Sequence, residues 1–253
     1  MSRLRAGVKL AGFLAMTLPL MPLQWVFLKT SPRLARNFPH HYHRWVTRWL
    51  NIRIGIKGGP IAPGTLIAAN HVSWMDITVL SAVAPLSFIA KKEVAGWAGF
   101  GTLARLQRTV FVDRERRQAT GEKRDEIAAR LAQGDTLVLF AEGTSSDGLR
   151  VLPFKSAFFA AAEAEGVRVQ PLTIAYRGWW GSVMSRRRLP FYAWYGDMDM
   201  APHLWEALAT GPVEVEVILH DTLTSTSLGG RKQLAALAEA AVRGGLNGLG
   251  ERL

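Results

Sequence analysis

Residues 65–80, TLIAANHVSWMDITVL, decide the fold of this chain. The first six residues, TLIAAN, contain an apolar run typical of a buried strand, and residues 74–83 have the pattern of a helix. Between the two lie His71 and Asp76, whose side chains are costly to bury unless they are paired or used. The stretch therefore predicts a strand–loop–helix unit of an α/β fold, with a polar pair in its loop.

The rest of the chain alternates in the same way between strand and helix patterns. Strands are predicted for RIGI (53–56), TLIAAN (65–70), LSFIA (86–90), TVFV (109–112), TLVLF (136–140), VQPLTIAY (169–176) and VEVEVIL (213–219). Helices are predicted for residues 74–83, 115–131, 154–164 and 229–242, and the glycine-rich tail 243–253 is expected to fray. These patterns indicate a single α/β domain with a mixed, mainly parallel sheet flanked by helices and covered on both faces.

The N-terminal segment has the composition of a membrane anchor. Residues 10–28 are long enough to span a bilayer, and basic residues flank them on both sides. Pro19 and Pro22 fall inside the run and are expected to kink or split a helix, so a spanning and a re-entrant form both stay open. A cleaved signal peptide is the alternative, but no small-residue cleavage site follows. We predict an anchor at residues 1–40 and a catalytic domain at 41–253.

Composition narrows the possible partners and chemistry. The chain of 253 residues has 31 Lys and Arg against 20 Asp and Glu, a net charge of +11, which favours anionic partners such as a membrane surface or nucleic acid. It has 0 Cys, which excludes disulfides, zinc–thiolate sites and a cysteine nucleophile. Its 9 Trp are typical of proteins at membrane interfaces. No spacing of a nucleic-acid-binding motif is present.

The pair His71 and Asp76 has three interpretations. Ser73 and Asp76 match a capping box, in which Asp76 accepts from a backbone N–H at the start of the helix. Alternatively, a carboxylate that holds one ring nitrogen of His71 makes the imidazole an oriented base able to take a proton from a substrate hydroxyl. A zinc site is the weakest interpretation, because His40, His41 and His43 do not supply an obvious third ligand.

Three later motifs decide between these interpretations. AKKEV (90–94), RTVFVDR (108–114) and LFAEGTSSDG (139–148) are followed by the strand VQPLTIAY. The His71 and Asp76 motif, RTVFVDR, the EGT turn and VQPLTIAY follow, in order and spacing, the pattern NH-x-S-x-x-D, F-[IV]-D-R, E-G-T-R and V-x-P-[VL], except that Ser145 replaces the arginine of the third motif. The chain thus resembles the glycerolipid (lysophosphatidic acid) acyltransferase family from about residue 65 to 176.

The resemblance assigns roles to individual residues. It implies that His71 is the general base and Asp76 its orienting partner. Arg114 would contact the acceptor headgroup, and Glu142, Gly143 and Thr144 would form the acceptor-binding turn. Lys92, with Lys91 beside it, would serve the phosphates of donor or acceptor, although a solvated lysine pair is an equal alternative. No metal and no bound cofactor are implied.

One position departs from the family pattern. Ser145 stands where the family usually has arginine after E-G-T, and serine cannot replace the charge or the bidentate geometry of arginine. Arg150 is a possible substitute; otherwise the acceptor lacks a phosphate. EGTSSDG and WYGDMDMAPHLW (194–205) also resemble the bacterial branch that acylates the 3-hydroxyl of lyso-ornithine lipid to give ornithine lipid.

The resemblance implies a membrane-bound O-acyltransferase acting from an acyl carrier protein (ACP) or coenzyme A thioester. Lyso-ornithine lipid is the first expected acceptor and lysophosphatidate the second. The expected location is the bacterial inner membrane with the active site on the cytoplasmic side, and no nucleic acid is expected as a partner. A membrane-tethered binding protein with a degenerate site and a thioesterase are the rival hypotheses, and no G-x-S-x-G elbow indicates an acyl-enzyme.

Overall fold

The computed structural model describes residues 2–113, 117–164, 166–178, 182, 184–224 and 229–250. Within these ranges one sheet has eight strands: β1 (Ile52–Gly58), β2 (Thr65–Ala69), β3 (Ser87–Lys91), β4 (Val110–Val112), β5 (Leu137–Phe140), β6 (Arg168–Arg177), β7 (Val213–Leu219) and β8 (Leu223–Thr224). The described α-helices are α1 (Arg3–Thr30), α2 (Pro32–Leu50), α3 (Met75–Val83), α4 (Phe100–Leu106), α5 (Arg117–Ala132), α6 (Met200–Thr210) and α7 (Arg231–Gly250).

The sheet is mixed and mainly parallel, as the sequence predicts. Its order is β1-β7-β6-β2-β5-β3-β4, with β8 paired to β6. Only the pairings of β6 with β7 and with β8 are antiparallel among the described strands. Because β2, β5, β3 and β4 are parallel neighbours, the residues that follow each of them meet at one edge of the sheet.

Both faces of the sheet are covered. In β2, Ile67 and Ala69 belong to one buried apolar cluster, whereas Leu66 and Ala68 belong to the cluster on the opposite face. This alternation explains why β2 reads as a continuous apolar run rather than an alternating one.

Helices α1 and α2 form an antiparallel hairpin against the domain. Trp49 packs over Gly12, where an added Cβ would lie 2.1 Å from the indole ring, and the Trp49 indole N–H donates to the carbonyl of Lys9. Further along, Thr17 Oγ1 lies 2.7 Å from the hydroxyl of Tyr42. Pro19 lies in α1 without breaking it, and so does Pro22, with both side chains on the exposed face. Of the two expected effects of these prolines, a kink or a split, the split is therefore wrong.

Helix α1 has polar side chains on its buried face and apolar side chains on its exposed face, the reverse of an ordinary surface helix. On α1 the side chains of Lys9, Thr17 and Gln24 are buried and bond to backbone carbonyls of the hairpin and the domain. Between the basic residues at its two ends, α1 exposes large apolar side chains: Leu4, Val8, Leu14, Leu18, Leu23, Trp25, Val26 and Leu28. An apolar exposed face of this extent marks a membrane or protein contact. By length and composition α1 is also the one described helix able to cross a bilayer.

Two predicted elements differ from the structure. The segment expected to be an α-helix at 154–164 is a 3₁₀ helix, Ser156–Glu163. The tail expected to fray continues α7 to Gly250, because Leu249 is buried and its carbonyl accepts from Arg177 Nη1 at 3.0 Å. Gly245 belongs to this packing, since an added Cβ would lie 2.4 Å from Thr173 Oγ1.

The observed helices also differ in number and in bounds from the predicted ones. Helix α2 runs unbroken through residue 40, so the division into residues 1–40 and 41–253 stays a prediction that the helix boundaries do not mark. Helices α4 and α6 were not predicted. Of the predicted helix 115–131, the described part begins at Arg117.

Candidate active site

The candidate site lies in the loop between β2 and α3, which is held by side-chain bonds to the sheet. The amide of Asn70, just after β2, donates to the carbonyl of Ile174 at 2.9 Å and accepts from its N–H at 2.8 Å. Asn70 is fully buried, so these two bonds replace strand pairing where β2 ends. This role was not predicted, although a polar residue closing an apolar strand was the available signal.

His71 and Asp76 form the pair that the sequence predicts. His71 Nδ1 lies 2.8 Å from Asp76 Oδ2, and the His71 ring stacks on Phe140 with ring centroids 3.9 Å apart. Asp76 has no exposed surface, whereas the side chain of His71 is 18% exposed. The imidazole is therefore fixed on one side by a carboxylate and on one face by a ring, while an edge stays accessible.

The hydrogen bonds around Asp76 determine the histidine tautomer. Asp76 Oδ2 also accepts from the backbone N–H groups of Val72 at 2.7 Å and Ser73 at 3.0 Å. An ionised carboxylate only accepts hydrogen bonds, so the proton of neutral His71 is on Nδ1 and the lone pair is on Nε2. The contact with Ser73 is the one expected of a capping box. The same carboxylate therefore caps the helix and orients the imidazole, so the two interpretations are compatible. Helix α3 begins at Met75, one residue later than predicted.

Tyr176 completes the bonds of Asp76. Its hydroxyl donates to Asp76 Oδ1 at 2.6 Å from strand β6, and the tyrosine is buried. Burial, and then the charge of Asp76, raise the pKa of Tyr176 well above its usual value, which keeps the hydroxyl protonated as a donor. The sequence motif containing Tyr176 was recognised, but this bond between residues far apart in the chain was not predicted.

Glu142 lies behind the pair rather than open to a ligand. Its Oε2 accepts from the N–H of His71 at 3.3 Å and its Oε1 from the N–H of Leu152 at 2.9 Å, and the residue is 2% exposed. Burial raises the pKa of Glu142 to about 8, although both backbone donors act in the opposite direction. Glu142 thus joins the His71 loop to the segment after the turn.

The turn after β5 faces the site. Gly143, Thr144 and Ser145 all line the same cavity as His71. Gly143 has a φ of +77°, a conformation that favours glycine, and a Cβ placed there would lie 3.0 Å from Lys155 Nζ, which would then have to shift. Lys155, a cation against this turn, was not among the predicted residues.

The structure does not place the remaining predicted binding residues beside His71. Lys92 is exposed, and its Nζ lies 3.2 Å from Asp113 Oδ2; Lys91 lines the cavity instead. Arg150 is exposed beyond the turn. Arg114 lies outside the described residues, so its predicted headgroup contact stays a prediction.

A cavity of about 1030 Å³ extends from His71 between the hairpin and the domain. Its walls are mostly apolar and include Phe13 and Met21 of α1, Phe38 of α2 and Leu103 of α4. Cavities that bind small molecules typically measure ~300–1,000 Å³, so this one suits a large apolar ligand. The histidine edge and the turn 143–145 supply the polar end of that space.

Comparisons with known proteins agree with this geometry. A family model described as Acyltransferase matches residues 53–175. The lyso-ornithine lipid O-acyltransferase of Brucella abortus is 44% identical over 252 residues, covering 95% of this chain and 93% of that protein. The 1-acyl-sn-glycerol-3-phosphate acyltransferase of Neisseria gonorrhoeae is 35% identical over 168 residues, covering 65% of this chain and 64% of that protein.

A solved structure shares the fold. The crystal structure of the 1-acyl-sn-glycerophosphate acyltransferase of Thermotoga maritima superposes with a TM-score of 0.70 at 22% identity, over 100% of this chain and 99% of that one. The chain belongs to the acyltransferase family, which confirms the resemblance drawn from its motifs. It is an O-acyltransferase, and the apolar exposed face of α1 associates it with a membrane.

Proposed function

We propose that the enzyme transfers a fatty acyl group from an ACP or coenzyme A thioester to the hydroxyl of lyso-ornithine lipid, giving ornithine lipid. The observation that carries the proposal is the His71–Asp76 pair at the polar end of a large apolar cavity. The relative from Brucella abortus supports the choice of acceptor.

The proposed chemistry uses the free edge of His71. Nε2 of His71 takes the proton of the acceptor hydroxyl while the hydroxyl oxygen attacks the carbonyl carbon of the thioester. Asp76 stabilises the imidazolium that results. The tetrahedral intermediate collapses to the ester as the carbon–sulfur bond breaks, and the imidazolium returns its proton to the departing thiolate. The thioester is already activated, so no acyl-enzyme is needed, and the proposal uses neither metal nor bound cofactor.

The acceptor preference rests on the charges at the turn. A phosphate headgroup is best recognised by a fixed guanidinium, and the position that the family pattern reserves for it is Ser145, which lines the cavity. A zwitterionic aminoacyl headgroup has no need of that charge, and its ammonium would be repelled by it.

Lysophosphatidate is the second candidate acceptor. Two observations favour it: Lys155 lies against Gly143, and Lys91 lines the cavity. The first places positive charge against the turn and the second places it on the cavity wall, both without an arginine. The relative from Neisseria gonorrhoeae is named a 1-acyl-sn-glycerol-3-phosphate acyltransferase.

The enzyme is proposed to act at the cytoplasmic side of the bacterial inner membrane. The exposed leucines of α1 would enter the acyl region of one leaflet, while Arg33, Arg44 and Arg48, all exposed on α2, would contact anionic headgroups. Leu18→Asp together with Val26→Asp should reduce flotation with anionic vesicles, whereas Leu237→Asp, a matched exposed leucine on α7, should not. Equal flotation of the wild type, the double variant and Leu237→Asp would contradict the contact of α1 with the membrane.

A direct assay tests the acceptor and the donor together. Purified full-length protein in anionic vesicles is given acyl-ACP or acyl-CoA with lyso-ornithine lipid, with lysophosphatidate or with no lipid acceptor. We expect ornithine lipid to form with the highest kcat/KM. Faster turnover of lysophosphatidate would make that lipid the main acceptor, and release of free fatty acid at the same rate without acceptor would establish a thioesterase instead.

A further inference from the structure

We propose that Tyr176 is a positioning residue for the acyl transfer: it holds Asp76 so that one oxygen serves His71, and it limits how strongly Asp76 stabilises the protonated imidazole. The inference rests on the proposed role of His71 as base. Tyr176 is absent from the described cavity wall, so it acts through Asp76 and not on the substrate.

The division of bonds between the two carboxylate oxygens is the first step. Oδ2 accepts hydrogen bonds from His71 Nδ1 and from two backbone N–H groups, and Oδ1 accepts one from the Tyr176 hydroxyl at 2.6 Å. Asp76 is fully buried, so without this donor Oδ1 would lose its described hydrogen bond, and the carboxylate would be held through Oδ2 alone. The tyrosine fixes the plane in which Oδ2 meets the imidazole.

The electrostatic consequence follows from the same bond. A hydroxyl that donates to one oxygen draws negative charge from the other, which weakens the attraction of Asp76 for an imidazolium. Removing the hydroxyl should therefore favour protonated His71, which is inactive as a base. The acidic limb of the kcat/KM profile should then move to higher pH.

The chain offers a matched control in Tyr192. The rings of Tyr176 and Tyr192 stack with centroids 6.4 Å apart and planes 18° from parallel, and both residues are buried. The Tyr192 hydroxyl donates to the carbonyl of Pro212 at 3.3 Å. Tyr192→Phe thus removes a hydroxyl from the same stack without touching Asp76.

The experiment compares Tyr176→Phe with Tyr192→Phe across the pH range. Tyr176→Phe should lower kcat on the order of tenfold at an unchanged KM for the acceptor, and should move the acidic limb up by roughly half a pH unit. Tyr192→Phe should leave both quantities at the wild-type values. In an Asp76→Asn background, Tyr176→Phe should cost almost nothing further, because the residue it acts through has lost its charge.

The outcomes separate this inference from the proposed function. If both phenylalanine variants behave alike, or if Tyr176→Phe lowers kcat without moving the limb, Tyr176 is only a packing residue and the inference fails. If His71→Ala keeps full activity, the proposed base itself is wrong.

Discussion

Two buried aspartates at opposite edges of the sheet have opposite surroundings. Asp76, at the carboxyl ends of the parallel strands, is bonded by an imidazole, two backbone N–H groups and a tyrosine hydroxyl. Asp135, just before β5 at the other edge, is bonded by three guanidinium groups, from Arg36, Arg108 and Arg130.

The difference separates a structural carboxylate from the one that we propose to act in catalysis. Burial acts to raise the pKa of Asp135, but bonds from Arg108 and Arg130 outweigh it and hold the pKa below its usual value. Its charge is compensated permanently, and its bond to Arg36 ties α2 to the domain. The donors to Asp76 among the described residues carry no charge until His71 takes a proton, so the charge of Asp76 would be available to stabilise that proposed step.

Asp76→Asn gives the largest expected effect of this comparison. The amide oxygen must take the place of Oδ2, where two backbone N–H groups and His71 Nδ1 donate, so the variant keeps the orientation of the ring but loses the charge that stabilises the imidazolium. We expect kcat/KM to fall by ~10²–10⁴-fold, with a loss of stability of about 1 kcal/mol from the capping contact. Steady-state kinetics and thermal unfolding in detergent measure both. Lost stability with retained turnover would reduce Asp76 to a helix cap.

Asp135→Asn should show the reverse pattern. It leaves three arginines around a neutral side chain, and breaking such a buried network typically costs about 3–5 kcal/mol. We expect the unfolding midpoint to fall clearly while kcat/KM of the folded fraction stays at the wild-type value. A specific loss of turnover at full stability would place Asp135 in the catalytic machinery, contrary to this comparison.

Glu142 should make stability depend on pH in a defined direction. Its pKa is raised from 4.5 to about 8, so the folded state binds the proton more tightly than the unfolded state. The free energy of unfolding should therefore fall as the pH rises between these values, by up to about 5 kcal/mol. Glu142→Gln should remove this decline. Glu239 is a neighbouring carboxylate that accepts from the N–H of Phe154, and Glu239→Gln should preserve most of the decline. Equal slopes of the unfolding free energy against pH in the wild type and both variants would contradict the assignment of this dependence to Glu142.

Ser145→Arg gives the smallest expected effect. The added guanidinium should lower kcat/KM for lyso-ornithine lipid and raise it for lysophosphatidate, a change in their ratio of roughly five- to thirtyfold. Leu149→Arg adds the same charge to an exposed position of the same loop, away from the cavity, and should leave the ratio unchanged. An unchanged ratio in Ser145→Arg would mean that other cations already serve this site.

The sequence predicted the sheet and the His71–Asp76 pair because both are local patterns. Apolar strands alternate with helices, and the pair lies five residues apart on one loop. It could not predict Tyr176, whose partner Asp76 is 100 residues away, nor the buried position of Glu142, which depends on where two loops meet. The orientation of α1 was not predicted either, because its buried face carries the polar residues Lys9, Thr17 and Gln24 where a buried face is expected to be apolar.

The central claim is that His71 removes the proton of a lysolipid hydroxyl. The measurement that tests it most directly is acyl transfer from acyl-ACP to lyso-ornithine lipid in anionic vesicles, by wild type and by His71→Ala. The account predicts a ~10²–10⁴-fold loss of transfer, with an unchanged unfolding midpoint and unchanged vesicle binding. A folded, membrane-bound His71→Ala protein that loses less than about tenfold would contradict it.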